Sequence, residues 1–465
     1  MLEFFKVKER DSNVKTEIFA GITTFMAMAY ILMVNGSMFA ELGISYNAIY
    51  IATAISAILG TVLMGLLANL PLAQASGMGI NAFFVYTVCF GFGFTYANAL
   101  LIVLIDGVIF IALTATGLRK KIFDCVPKCV KTAIPVGIGM FIAFIGLQNS
   151  GIVVNNDSTL VTLASFNVFN NQDVSWAKIM PLVVTIISFM IIAILSARKI
   201  KGAVLWGILG GTAAYYLLGF TISGFYNNFA ENLSLNPFSA FGEFATQCFG
   251  KVFTEGFDFS PYLATHSTES LIILIITTSL AFCMVDMFDT MGTLYAACSQ
   301  GNLLDEKGEV KNMNKAMLSD AVATTIGAVC GTSTVTTYVE STAGVAEGGR
   351  TGLSSLVTAG MFFIAMFLTP IAALIPSSAT AAALIFVGVL MMKNVKEIDW
   401  GDISVSVPAF LTIAMMAFTY NISYGIAFGL FSYVIIKLFT GKVKEIHITT
   451  WVITALFIAM FLLTH

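Results

Sequence analysis

Residues 71–84 read Pro71-Leu-Ala-Gln-Ala-Ser-Gly-Met-Gly-Ile-Asn-Ala-Phe-Phe84, and residues 331–344 read Gly331-Thr-Ser-Thr-Val-Thr-Thr-Tyr-Val-Glu-Ser-Thr-Ala-Gly344. Each stretch mixes glycine, small hydroxyl residues and β-branched residues before a short run that can form a helix. Such a backbone cannot face lipid, because hydrocarbon offers its N–H and C=O groups no hydrogen-bond partner. We therefore expect both stretches, called here the first and second interrupted segments, inside protein or beside a water-filled cavity.

The rest of the chain is strongly apolar. Of its 465 residues, 58% are hydrophobic and only 11% are charged, whereas soluble domains carry about 25% charged residues. The mean hydropathy is +0.89. These values exclude a soluble enzyme, a disordered protein and a nucleic-acid binder. They predict an all-α polytopic membrane protein surrounded by lipid.

The apolar runs divide into two halves around a polar stretch at 221–266. With the two interrupted segments counted as spans, each half has seven spans. Two halves with an odd number of spans have opposite orientations, which predicts an inverted repeat of fourteen spans. The uninterrupted spans are predicted at 17–38, 46–69, 97–118, 129–149, 177–195, 202–220, 268–298, 315–331, 352–375, 379–392, 403–419 and 421–439. The interrupted spans, third in each half, are predicted at 77–93 and 334–348, and an extra apolar segment covers 449–463.

The basic residues support this count. With fourteen spans, all 23 Lys and Arg residues except Lys178 and Lys251 fall on one face. Lysine and arginine concentrate in cytoplasmic loops, so this face is predicted to be cytoplasmic and to carry the N-terminus. The compact loops favour a bacterial inner (plasma) membrane.

Interrupted segments at matching positions of two repeats point to a transporter site, with half-helix N-termini directed inward. Close helix packing through Gly and Ser is the structural alternative. No Ser–His–Asp set or phosphate loop indicates an enzyme. Cys125 and Cys129 lack the second ligand pair that zinc requires, so no metal site is expected.

Five carboxylates are predicted within spans, where charged groups are rare and costly. They are Asp106, Asp286, Asp289, Asp320 and Glu340. No Lys or Arg lies deep in any span, and desolvation favours the protonated form of a carboxyl group, which suits a proton carrier. The alternative is that these acids form structural hydrogen bonds between helices. For Asp106 we favour this structural role, and for Asp286 and Asp320 we consider the structural and the functional role equally.

Three of the polar residues suggest the kind of ligand. Asp289 and Glu340 accept hydrogen bonds when ionised, whereas the amide of Asn81 both donates and accepts. Together with half-helix N–H groups, they would suit a neutral, flat ligand rich in N–H and C=O groups. They would suit an anion poorly.

Several motifs resemble one family, the azaguanine-permease-like purine permeases of the nucleobase–cation symporter-2 family. The resemblance runs from about residue 4 to residue 464. The motifs that carry it are Gly77-Met-Gly-Ile-Asn-Ala-Phe-Phe84, Pro135-Val-Gly-Ile-Gly-Met-Phe-Ile-Ala-Phe-Ile-Gly-Leu-Gln-Asn149, Val285-Asp-Met-Phe-Asp-Thr-Met-Gly-Thr293, Thr336-Thr-Tyr-Val-Glu-Ser341 and Gly349-Arg-Thr-Gly352.

The resemblance implies the uracil-permease fold, with fourteen spans in two inverted repeats of seven and a short strand in spans 3 and 10. It implies a core domain from residues 16–118 and 268–375, and a gate domain from 129–220 and 379–440; residues 441–465 remain as an extra hydrophobic segment. It also implies import of hypoxanthine, guanine or adenine by proton symport, without a cofactor, in a homodimer. An anion carrier of the sulfate or bicarbonate type on the same fold is the alternative.

The resemblance also assigns residues. It places Asn81, Asp289 and Glu340 at the substrate, with Gly79, Phe83, Tyr338 and Val339 beside it. It places proton coupling at Asp286, Asp289, Glu340 and Thr293, which stands where the wider superfamily often has His. Two positions depart from the pattern: Ser76 replaces a usual Pro, and Asn35-Gly36 replaces Asn-Pro.

Overall fold

The computed structural model of the chain describes residues 2–117, 125–167, 175–226, 236, 238–306 and 309–464. Four of the basic residues used to orient the chain, Arg119, Lys120, Lys121 and Lys307, lie outside these residues, as do parts of the polar stretch. The described residues form mostly helices. Eight are long and apolar enough to cross a membrane: Val14–Ala40, Tyr46–Ala68, Tyr96–Ala115, Lys128–Asn149, Trp176–Ala197, Thr268–Gln300, Ser377–Glu397 and Ile422–Phe439. The chain is therefore a multi-pass membrane protein.

Shorter elements complete the described fold. The shorter apolar helices are Met78–Gly91, Ala203–Gly219, Gly352–Met366, Ile403–Phe418 and Ile448–Leu463. The other α-helices are Leu2–Phe5, Ser239–Gln247, Lys251–Thr254, Ser260–Leu263, Met313–Cys330, Ser341–Ala346 and Thr369–Ala372, and two short 3-10 helices are Lys8–Arg10 and Val443–Glu445. The strands are β1 (Gln74–Ser76), β2 (Val153–Asn156), β3 (Leu160–Leu163) and β4 (Val335–Thr337).

One predicted span is divided in the structure, and another keeps its length with a local irregularity. The span at 17–38 is the helix Val14–Ala40, in which a turn at Ala29 joins Val14–Met28 to Tyr30–Ala40 while the backbone stays right-handed helical. The span at 352–375 becomes Gly352–Met366 and Thr369–Ala372. Pro370 lies in the first turn of the second piece, where its missing N–H is tolerated, but it could not continue the preceding helix.

The two interrupted segments contain the expected strands and pair with each other. β1 runs antiparallel to β4, with Gln74 opposite Thr337, Ala75 opposite Thr336 and Ser76 opposite Val335. The ladder continues on both sides, because Gly77 N–H donates to Thr334 O at 3.0 Å and Tyr338 N–H donates to Ala73 O at 3.0 Å. These bonds satisfy buried backbone groups that no helix satisfies.

The ends of the strands position two short helices. β1 leads into Met78–Ala82, which continues as a π-helix over Phe83–Gly91. β4 is followed by Ser341–Ala346. The turn before β4 depends on Gly331, whose φ of +93° ends the helix Met313–Cys330 in a conformation that favours glycine.

Small residues bring the helices close together. The helix Gly352–Met366 packs against Val14–Met28 and Tyr46–Leu63. At one crossing a Cβ added to Gly352 would lie 2.1 Å from the Gly65 carbonyl oxygen. A second group joins Lys128–Asn149 to Ser377–Met391 and Ile403–Phe418. Packing through small residues is thus present at these crossings, in addition to the strand pairing.

The final hydrophobic segment is a helix, Ile448–Thr464, that packs against Thr268–Gln300 and Ile422–Phe439. Phe461 contacts the rings of Tyr424 and Phe428, at centroid distances of 5.4 Å and 5.6 Å. This segment therefore belongs to the helical bundle.

Candidate functional site

The second interrupted segment brings two carboxylates to one place. The helix Thr268–Gln300 packs against both β4 and Ser341–Ala346, so Asp289 lies beside the turn that carries Glu340. Thr336 Oγ1 donates to Asp289 Oδ2 at 3.3 Å, and Tyr30 Oη donates to Glu340 Oε1 at 2.6 Å. The two carboxyl groups are close enough to interact electrostatically.

Both carboxylates keep capacity to accept further hydrogen bonds. Each is only half-buried, and an ionised carboxylate offers about four lone-pair positions, of which a single hydroxyl fills one. Open space adjoins them: a Cβ on Gly292, one turn after Asp289, would meet nothing within 4 Å. Val339, next to Glu340, is 49% exposed. The site can therefore present two hydrogen-bond acceptors to a ligand.

Tyr338 forms a buried wall next to the two carboxylates. Its side chain is 6% exposed, and its hydroxyl donates to Ser76 O at 2.5 Å. This bond ties the second interrupted segment to the end of β1. The ring is therefore held in position by the strand pairing.

Asn81 lies in a buried network of hydroxyl groups. Its Oδ1 accepts hydrogen bonds from Ser76 Oγ, at 2.6 Å, and from Ser333 Oγ. Thr332 Oγ1 donates to Ser76 Oγ at 2.7 Å, and Asn35 Nδ2 donates to Thr332 Oγ1 at 3.2 Å. Ser76, one of the two departures from the family pattern, therefore joins the two interrupted segments. The predicted contact of Asn81 with a substrate stays a prediction.

The other residues predicted at the site include Gly79, Phe83 and Thr293, which lie in helices at closely packed or buried positions. Gly79 lets its half-helix approach Lys128–Asn149, because a Cβ there would lie 2.4 Å from Ile138 Cγ2. Phe83 is fully buried and packs edge-to-face on Phe282, at 4.9 Å. Thr293 is buried on the same helix as Asp289.

Two further acids lie in a separate buried network. Asp286 and Asp320 are fully buried. Thr290 Oγ1 lies 2.7 Å from Asp320 Oδ1 and 3.3 Å from Asp286 Oδ1, so its single proton can serve only one at a time. Gln74 of β1 donates to Asp320 at 3.4 Å. This network contacts the strand pairing directly, because Thr337 N–H donates to Thr290 Oγ1 at 3.4 Å.

Asp106 is the fifth predicted intramembrane acid. It is buried in the helix Tyr96–Ala115, which packs closely against Met313–Cys330.

Tyr30 is a residue of the candidate site that the sequence analysis missed. It is 1% exposed and donates a hydrogen bond to Glu340. Its apolar sequence neighbours gave no signal of this role. Within the described residues, no group of three His, Cys, Asp or Glu side chains could hold a metal ion.

Comparisons with known proteins agree with this architecture. The transmembrane domain of a cyanobacterial bicarbonate transporter, BicA, has a similar fold, with a TM-score of 0.60 over 91% of this chain and 97% of that chain. At 16% sequence identity, this likeness concerns the fold alone.

The sequence relatives are permeases, not enzymes. The chain is 37% identical to the guanine/hypoxanthine permease PbuO of Bacillus subtilis, over 99% of this chain and 100% of the relative. It is 35% identical to the adenine permease AdeQ of Escherichia coli, over 97% and 94% respectively. The sequence model described as the Permease family matches residues 15–428. The chain therefore belongs to this permease family, and its sequence relatives include guanine/hypoxanthine and adenine permeases.

Proposed function

We propose that this protein is a secondary active transporter that imports purine nucleobases by proton symport. The observation that carries the proposal is that the contact of Thr268–Gln300 with β4 and Ser341–Ala346 brings Asp289 and Glu340 into one region, where each accepts a hydrogen bond from a hydroxyl group. The names of the relatives support the substrate class: PbuO is a guanine/hypoxanthine permease and AdeQ an adenine permease.

We propose fourteen spans in two inverted repeats of seven. The antiparallel pairing of β1 and β4 supports this arrangement, because opposed strands are what two inverted repeats would bring together. The proposed core comprises 16–118 and 268–375, and the proposed gate comprises 129–220 and 379–440. The protein would lie in the plasma membrane with its N-terminus in the cytoplasm, as a homodimer.

Substrate recognition would use the carboxylates as acceptors. Purine ring or exocyclic N–H groups would donate to Asp289 and Glu340, and Tyr338 and Phe83 would pack near the flat ring faces. Hydrogen bonds to charged groups each contribute about 1.5–3 kcal/mol. The site would therefore favour bases that present two donors on one edge.

Proton coupling would use the carboxyl groups of Asp286, Asp289 and Glu340, near Thr293. The Asp286–Thr290–Asp320 network contacts the backbone of β4, so a change of protonation there would act on the segment that carries Glu340. Motion of the core against the gate would then alternate access to the site. Protons would be the coupling ion, with no cofactor.

An anion carrier on the same fold is a weaker candidate. The likeness to the bicarbonate transporter concerns fold, while two adjacent carboxylates at the site would repel an anion. Competition by sulfate or bicarbonate, without competition by hypoxanthine, would favour that candidate.

Uptake of radiolabelled hypoxanthine, guanine, adenine and uracil tests the proposed function. The chain is expressed in a host that lacks nucleobase transport, and uptake is measured with and without a protonophore. We expect saturable purine uptake that collapses with the protonophore. Purine uptake that persists at full rate would contradict proton symport, and no uptake by membrane-inserted protein would contradict purine transport.

A further prediction concerns Tyr30. Its hydroxyl holds one oxygen of Glu340 at 2.6 Å, so it acts as a positioning residue. Tyr30→Phe removes this bond and keeps the ring. We expect KM for hypoxanthine to rise about tenfold, because a hydrogen bond to a charged group contributes at least about 1.5 kcal/mol.

Tyr50→Phe is the matched control for Tyr30→Phe. Tyr50 is also buried in a core helix and donates its hydroxyl at 3.0 Å, but to Ala365 O in a neighbouring helix. We expect Tyr50→Phe to leave KM near the wild-type value. Equal KM values for the two variants would show that Tyr30 does not position Glu340.

A further inference from the structure

A cavity lies at one end of the helical bundle, and neither Asp289 nor Glu340 lines it. It has a volume of about 300 Å³ and lies between the helix ends at Ala40 and Asn149 and the start of the helix Ser377–Met391. The proposed orientation places this end of the bundle outside the cell. The lining residues are Val34, Ser37, Met38, Glu41, Asn149, Ser377, Thr380, Ala381 and Leu384.

One wall of this outer cavity is polar and held in a fixed arrangement. Tyr86 Oη donates to Glu41 Oε1 at 2.8 Å, and Asn149 Nδ2 donates to the same oxygen at 2.9 Å. Asn149 Nδ2 also lies 2.7 Å from Tyr86 Oη. Among the described residues, these bonds leave Glu41 Oε2 and Asn149 Oδ1 without a hydrogen-bond partner. Two acceptors are therefore available at the cavity.

Glu41 is exposed at the cavity but partly desolvated. This partial desolvation raises the pKa of the Glu41 carboxyl group above its ordinary value, although the bonds from Tyr86 and Asn149 oppose this shift. Among the described residues, no Lys or Arg lines the cavity, so an anion would meet only the like charge of Glu41 there.

Apolar side chains share the cavity with these polar groups. Val34 and Met38 precede Glu41 along one helix, and Ala381 and Leu384 lie in the helix that begins at Ser377. Met is adaptable and contacts aromatic rings favourably. Pockets for small molecules begin at about 300 Å³ and combine apolar walls with a few polar groups. A bicyclic base with N–H donors on one edge suits this mixture of apolar surface and acceptors.

We propose that the outer cavity is a second binding site for purine bases, occupied before the base reaches Asp289 and Glu340. This inference rests on the proposed transport of purines. Base N–H groups donate to Glu41 and Asn149, and the hydroxyl of Ser37 donates to a ring nitrogen or a carbonyl oxygen. Glu41 belongs to the proposed core and Asn149 to the proposed gate, so a bound base bridges the two.

Cysteine protection tests the second site. Ser377 is exposed at the rim of the cavity, so Ser377→Cys should react with a membrane-impermeant maleimide in whole cells. We expect saturating hypoxanthine to slow labelling at least threefold. The same protection should persist when Glu340→Gln, or Asp289→Asn, weakens the inner site, and it should disappear when Glu41→Gln is added.

Ser158→Cys is the matched control. Ser158 is exposed in the turn between β2 and β3, on the same proposed side and outside the cavity. Its labelling should not change with hypoxanthine. The parent protein without an added cysteine measures the background from the seven native cysteines.

Three outcomes would overturn the second site. Protection that vanishes with Glu340→Gln and with Asp289→Asn would show that only the inner site binds. Protection by sodium chloride alone, equal to that by hypoxanthine, would indicate a cation instead of a base. Normal purine uptake without any protection would reject the outer site alone, whereas absent uptake of every base would reject the proposed function itself.

Discussion

Glu340→Gln is expected to lower purine uptake about 10- to 140-fold. The substitution keeps the size of the side chain but removes its charge, and with it a hydrogen bond that contributes about 1.5–3 kcal/mol when the acceptor is ionised. Tyr30 Oη already donates to this side chain at 2.6 Å. A Gln that turns its NH2 group toward the base would oppose a base N–H group directly. The measurement is kcat/KM for hypoxanthine uptake, normalised to the amount of protein in the membrane.

Glu347→Gln is the control for this substitution. Glu347 follows the same short helix, but its carboxylate pairs with Lys201 at 2.5 Å and is partly exposed. Such surface pairs contribute about 0–1 kcal/mol. We expect uptake within about fivefold of wild type. If Glu340→Gln transported purine as well as Glu347→Gln does, Glu340 would not bind the substrate.

Gly352→Ala is expected to destabilise the folded protein by about 1–3 kcal/mol or more. The added methyl group would lie 2.1 Å from Gly65 O and less than 3 Å from two further backbone atoms of Gly65. Backbone atoms cannot move aside as a flexible side chain can. Gly352 N–H also donates to Asn69 Oδ1 at 2.8 Å, and a shift of the helix would lengthen this bond. Thermal unfolding of the purified protein in detergent measures the loss.

Gly360→Ala offers a control in the same helix. A Cβ on Gly360 would meet nothing within 4 Å, and alanine favours a helix over glycine by up to about 1 kcal/mol. We expect an unfolding temperature equal to or above that of wild type. Equal unfolding temperatures for both variants would show that the Gly65–Gly352 crossing tolerates a side chain.

The interrupted segments could be recognised from sequence because their composition conflicts with their position. Runs of Gly, Ser and Thr such as 331–337 cannot remain unpaired in lipid, so an internal partner had to exist. The sequence did not show which segment that partner is or how the two segments pair. The register of Gln74 opposite Thr337 depends on the packing of helices distant in the chain, and three-residue strands carry too little pattern to fix it.

The charged residues of the candidate site could be predicted from the sequence. Asp289 and Glu340 stand out because acids are rare in spans, and the structure places them together. Tyr30 and Ser333 do not stand out, because tyrosine and serine are ordinary residues in helices of membrane proteins. Their hydrogen bonds to Glu340 and Asn81 depend on which helices pack beside them, and the sequence does not show this packing. Asn81 shows the same limit. Its amide side chain indicated that it would form hydrogen bonds, but only the structure shows that Ser76 and Ser333 donate to it.

The pairing of β1 with β4 also constrains how the protein is made. β1 lies in the first half of the chain, and the strand that pairs with it in the described part of the structure, β4, lies in the second half. During synthesis the first half must enter the membrane before residues 335–337 exist. Until then the polar backbone at 74–77 requires temporary partners, such as water, neighbouring helices or the insertion machinery. Each half expressed alone should therefore fold poorly, and quality-control proteases should degrade it unless the other half is present.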